Sequence, residues 1–155
     1  YLKITDEFIE QTMRKSFLGG SGYADYQDPH YEEYLNYVKQ RIHSFQFPMR
    51  VFRGLYIPEG KELMITGNVG EHWTYDPTLF DRHNGQYGFS NSKCNVILTG
   101  LVTADQVKWG QTIINNATDY NPNEQRCYNT AEHEIELKRG EIPHELEVQK
   151  DSRGI

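Results

Sequence analysis

The chain has 155 residues, 25% of them charged and 37% hydrophobic, with a formal net charge of −6; that is long enough for one domain with its own core. The acidic balance argues against a broad nucleic-acid footprint, which needs a basic face, and no apolar run reaches the roughly 20 residues that span a bilayer. Eleven Tyr and seven Phe favour strands or a pocket lined by rings. Cys94 and Cys127 have no metal-ligand spacing. They read as free thiols of a reducing compartment, or as one disulfide closing a loop. No secretory leader is visible, although the chain opens on Tyr1 rather than Met.

In chain order, the spacing of Phe8, Ile9, Met13 and Phe17 predicts a helix from Asp6 to Phe17, capped by Thr5 or Asp6. Gly19-Gly20-Ser21-Gly22 reads as a flexible linker. It is not a phosphate loop, since no Lys-Ser/Thr follows the glycines. A second helix is expected with Asp28 as cap and Pro29 at its first position. Its apolar face is Tyr31, Tyr34, Leu35, Val38, Ile42 and Phe45, and Pro48 ends the segment. Met49 to Tyr56 predicts a strand. Arg53 stands out within it, because a guanidinium among apolar neighbours needs a partner. It either snorkels, pairs structurally, or presents a planar fork to a phosphate or carboxylate. Gly54 beside it allows close approach to the backbone.

Leu63 to Thr66 reads as a short strand, and Gly67 and Gly70 bracket a turn. Glu71 to Thr74 reads as a strand running into a helix, with Asp76 as cap and Pro77 at the first helical position. Thr74 is then either a simple strand-end Thr or one that orients an acid. Arg82 to Ser92 is expected to be a loop able to cover a site. Cys94 to Val102, with Val96-Ile97-Leu98, predicts a buried strand, and Thr103 with Gln106 fits a capping box. The pattern from Val107 to Asn115 fits helix or strand alike. Asn115 to Tyr128 reads as a long polar loop, Glu145 to Gln149 as a last strand, and 151–155 as a tail.

Glu132 to Leu137 alternates strictly: acid, His, acid, Ile, acid, Leu. Period two predicts a strand with Glu132, Glu134 and Glu136 on one face and Ile135 and Leu137 on the core side. Such a row is commonly a solvated outer face. The row also collects negative field, and repulsion disfavours ionising all three carboxylates together.

Taken together, Phe52-Arg53-Gly54, Trp73-Thr74-Tyr75-Asp76-Pro77 and Glu132-His133-Glu134-Ile135-Glu136-Leu137-Lys138-Arg139-Gly140 resemble a known signature. It is the Arg–Ser/Thr–Glu pattern of the mono-ADP-ribosyltransferases of the cholera-toxin-like class, shared by bacterial toxins, phage enzymes and vertebrate ecto-enzymes. The likeness covers about residues 48 to 148. It implies an α+β fold: a split, two-sheet β core around an NAD cleft, with N-terminal helices outside. One domain is expected, with a helical lobe at 1–47 and a catalytic β core at 48–150.

The resemblance also implies roles. Arg53 holds the NAD phosphates, Gly54 offers backbone groups to the nicotinamide amide, and Tyr75, Tyr87 or Phe89 stacks on the ring. Thr74 fixes Glu134, which is the catalytic carboxylate, and Glu132 orients and deprotonates the acceptor. The implied activity is transfer of ADP-ribose from NAD, as co-substrate and without a metal, to a macromolecule. Protein arginine is favoured over nucleic acid, and the expected protein is a soluble monomer acting in a cytoplasm. The chain departs from the pattern in having His72-Trp73-Thr74 where Ser-Thr-Ser is usual. Glu134 with Glu136 offers a second frame, but the following Ile-x-Leu-x-Arg-Gly favours Glu132 with Glu134. Three other readings stand beside this one: an NAD glycohydrolase, a non-catalytic binding or inhibitor module, and a metal enzyme using the acids with His72 or His133.

Overall fold

The computed structural model describes residues 4–18, 28–65, 67, 69–82 and 94–151. The Gly19 to Gly22 linker and the segment 83–92, with Tyr87 and Phe89, lie outside the described residues. The chain is a mixture of helices and antiparallel sheet in two compact units, Tyr1–Gln46 with Lys108–His133 and Phe47–Val107 with Glu134–Ile155. Both cysteines are free thiols.

The first unit is built on three helices. Helix α1 is Asp6–Leu18, and Thr5 caps it by accepting the Phe8 N–H at 3.1 Å. Ile9 and Met13 are fully buried, whereas Phe8 is exposed. Helix α2 is Tyr31–Ser44, with Tyr31, Leu35, Val38 and Ile42 as its buried stripe. It begins two residues later than the Asp28-Pro29 pattern predicts. The Asp28 carboxylate accepts the His30 N–H at 2.7 Å and its carbonyl accepts the Tyr31 N–H, so this pair makes a turn before the helix. Lys39 to Glu10 at 2.7 Å and His43 to Asp6 at 2.6 Å tie α2 to α1.

The ambiguous segment after Val107 is helical: α4, Trp109–Thr118, packs on both α1 and α2, and Trp109, Ile113 and Ala117 are its buried apolar residues. The helical lobe therefore takes in residues well beyond the N-terminal third. The expected long loop is instead the end of α4 and a small hairpin, β4 (Tyr120–Asn121) with β5 (Arg126–Cys127). Tyr37 stacks on Tyr120 at 4.9 Å and accepts from the Cys127 thiol at 3.0 Å. Burial, helped by that thiol, pushes the Tyr37 phenol well above its ordinary value.

The second unit is a five-stranded antiparallel sheet in the order β6-β2-β1-β3-β7. Its strands are β1 (Met49–Leu55), β2 (His72–Thr74), β3 (Val96–Val102), β6 (Glu134–Glu136) and β7 (His144–Asp151). Short helix α3 (Leu79–Arg82) follows β2. Asp76 accepts the Thr78 N–H at 2.9 Å and its carbonyl accepts the Leu79 N–H, so Pro77 lies in a turn rather than in the helix. Leu63 to Ile65 forms no strand. Its side chains are mostly exposed and nothing pairs its backbone into the sheet. The capping box at Thr103 and Gln106 is present, but it starts a single 3-10 turn, Ala104–Gln106.

Candidate functional site

The sheet brings together residues that are far apart in the chain. Directly opposed residues on neighbouring strands share a face. Phe52 pairs with Thr74, and Thr74 pairs with Glu134. His72 pairs with Glu136 in the same register. One face of the β1-β2-β6 edge therefore carries Phe52, Thr74, His72, Glu134 and Glu136. Trp73 and Ile135, paired with each other and fully buried, anchor the opposite face. The apolar positions of the alternating motif hold the two glutamates in place by burying Ile135 and Leu137.

The row of acids is shorter than the alternation predicts. Strand β6 begins at Glu134, because His133 has a φ of 48° and cannot continue an extended strand. The Asp119 carboxylate accepts the N–H groups of Glu132 (3.3 Å) and His133 (3.1 Å), which fixes that kink. Glu132 is thus outside the strand row, and the two acids that share the face are Glu134 and Glu136. His133, expected to face away from the acids, has its ring 3.6 Å from Asp119.

Arg53 continues the Met49 and Val51 face of β1, so strict alternation turns it away from Thr74 and Glu134. The strands do not pair far enough to enforce this. The register of β1 with β2 holds the single pair Phe52 with Thr74, whereas β1 pairs with β3 along its whole length. Beyond that pair the guanidinium bridges the two strands, and Nη1 donates to the His72 carbonyl at 2.6 Å. Gly70, at a φ of +95°, lies flat against the guanidinium; a Cβ there would stand 2.7 Å from Cζ. The Arg53 Nε is buried with no hydrogen-bond partner. Arg53 and Glu134 thus both lie against His72, one on its carbonyl and one on its ring.

Thr74 is wholly buried, and its hydroxyl oxygen accepts the Asp76 N–H at 3.1 Å. That bond shapes the turn into α3. Tyr75 follows, half-buried. Gly54 is paired with Ile97 in the ladder, and the space a side chain would need is filled by Phe80 and Cys94. A Cβ on Gly54 would stand 2.6 Å from the Phe80 ring.

His72 is the added feature of the site. Its Nδ1 stands 3.2 Å from Glu134 Oε2 and 3.4 Å from Glu136 Oε1. The ring is 54% exposed, while the Glu134 and Glu136 side chains are 12% and 7% exposed. The signal for it is in the sequence: His72 lies two residues before Thr74, and period two puts it on the same face.

Among the described residues no helix is long and apolar enough to cross a membrane. No protein-family model, curated protein or solved structure matches the chain.

Proposed function

We propose that this protein transfers ADP-ribose from NAD to a macromolecular acceptor, releasing nicotinamide, on a fold of the mono-ADP-ribosyltransferase kind. The observation that carries the reading is the register line. Arg53, Thr74 and Glu134 come from distant parts of the chain and lie on three consecutive strands, with Thr74 directly across from Glu134. The one-pair contact between β1 and β2 suits a β core that splits around a cleft.

Cleaving the nicotinamide–ribose bond builds positive charge at the sugar, much as in glycoside hydrolysis, where contacts to the 2-hydroxyl strengthen in the transition state. Glu134, largely buried and held on a strand, supplies a fixed carboxylate for that charge and accepts from the ribose 2′-hydroxyl. Thr74 orients Glu134 from the facing strand. Arg53 keeps a free donor at Nε, which suits an anionic diphosphate once its surroundings adjust. Nicotinamide leaves neutral, so departure needs no strong acid. An arginine acceptor loses a proton before it attacks, which is the role of a second acid. The resemblance gives that role to Glu132.

Wild-type protein is expected to release nicotinamide from NAD, and Glu134→Gln to release it at least about 100-fold more slowly, as befits loss of a charge that acts in the transition state. Equal rates for the two proteins would sink the reading. A second reading, NAD hydrolysis with water as acceptor, is favoured by one observation: Glu132 lies off the strand that carries Glu134. Free ADP-ribose as the sole product supports hydrolysis; label retained on a protein supports transfer.

A further inference from the structure

We propose that His72, Glu134 and Glu136 form a binding site for a divalent transition-metal ion of the zinc type. The three residues each offer one ligand atom, and these atoms lie within 4.8 Å of one another. Their spacing admits an ion as well as a direct contact: His72 Nδ1 is within hydrogen-bonding reach of Glu134 Oε2 and lies a little farther from Glu136 Oε1. A charge-assisted hydrogen bond from nitrogen to a carboxylate is about 2.7–2.9 Å long. Elsewhere among the described residues His43 closes on Asp6 to 2.6 Å and His30 is closer still to Glu33, while the largely buried His133 stands 3.6 Å from Asp119. His72 stands off from both of its carboxylates, at 3.2 and 3.4 Å. A tetrahedral ion with bonds of about 2.0–2.2 Å to nitrogen and oxygen holds its ligands about 3.3–3.6 Å apart, close to the two edges from His72, and the carboxylate edge, within 4.8 Å, closes by side-chain rotation when the ion binds.

The proton count points the same way. Nδ1 carries at most one proton, so it cannot donate fully to two carboxylates at once. An ion among the three takes the ring lone pair and one oxygen from each glutamate, and it offsets the cost of bringing two nearly buried carboxylates together. The strand register supplies the rigidity. His72 and Glu136 are a cross-strand pair, and Glu134 is the next residue on the same face. Imidazole with two carboxylates suits zinc and its neighbours better than magnesium, which prefers oxygen alone. Three protein ligands leave a fourth position open.

The consequence for activity rests on the ADP-ribosyl-transfer reading. A metal-bound Glu134 is withdrawn from the ribose, so the ion inhibits nicotinamide release. Binding itself is tested without NAD. Titration of the metal-free full chain with ZnCl2 by isothermal calorimetry is expected to show one ion bound per chain at micromolar concentration. His72→Ala, at an exposed position, and Glu136→Gln are each expected to weaken binding at least tenfold. MgCl2 is expected to give no heat of binding. Absence of zinc binding, or equal affinity in wild type and both variants, overturns the site. Zinc binding without any nicotinamide release leaves the site standing and removes the transfer reading. Release that zinc does not slow, with binding intact, removes only the inhibitory consequence.

Discussion

Among the described residues several histidines stand against carboxylates, and two of these places differ instructively. On the α1–α2 helix pair, His43 meets Asp6 at 2.6 Å with both side chains about half exposed, at 48% and 53%. On the β2–β6 strand pair, His72 stands between Glu134 and Glu136 at longer range, with the carboxylates nearly buried. The helix pair is a surface contact. Water solvates both partners whether or not they touch, so they close to ordinary hydrogen-bonding distance and gain little. In the strand pair the backbone fixes where each carboxylate sits, and ladder register rather than mutual attraction sets the spacing. That contrast is why the strand cluster, and not the helix pair, carries the proposed ion site.

The comparison breaks most severely when the scaffold under the strand site is removed. Ile135→Ala hollows a fully buried position between Glu134 and Glu136 and is expected to cost about 2–5 kcal/mol in denaturant unfolding. A loss below about 1 kcal/mol would mean that β6 is not seated as described. Gly70→Ala comes next. It places a Cβ 2.7 Å from the Arg53 Cζ at a backbone φ of +95°, so a loss of about 1–3 kcal/mol is expected, together with, on the proposed ADP-ribosyl-transfer reading, a raised KM for NAD. Unchanged stability and KM would detach Gly70 from the placement of Arg53.

The smallest effect belongs to the helix pair. The hydrogen bond from His43 holds the Asp6 carboxyl below its ordinary value. A lowered folded-state value stabilises the protein above the unfolded one, near 3.8, and that contribution disappears as pH falls through the folded value. Asp6→Asn is therefore expected to lower the melting temperature slightly at pH 7 and not at all at the acid end of the transition. An equal deficit at both pH values would show that Asp6 acts through something other than its charge.

Much of the local structure was legible from periodicity. The stripe of α2, the apolar strands β1 and β3, and the capping box at Thr103 all follow from local chain physics, and they stand where the pattern puts them to within a few residues. Other signals misled because they are shared by two outcomes. Asp28-Pro29 and Asp76-Pro77 serve a turn as readily as a helix start. The alternation from Glu132 fits a strand, but Asp119, thirteen residues earlier, captures the amides of Glu132 and His133 and turns the chain before β6 begins. No window around Glu132 contains that information.

The sequence by itself determined which residues are candidates for chemistry and, for those within a strand such as Thr74, Glu134 and Glu136, which side of the strand each lies on, because alternation is a property of the extended backbone. Only the tertiary structure decided which strands are neighbours and in what register. That choice depends on burying Trp73 and Ile135 together and on the early parting of β1 from β2, both of them contacts between segments distant in the chain. It is why Thr74 lies across from Glu134, why Arg53 reaches the carbonyl of His72, and why the acid beside Glu134 on the strand is Glu136 rather than Glu132.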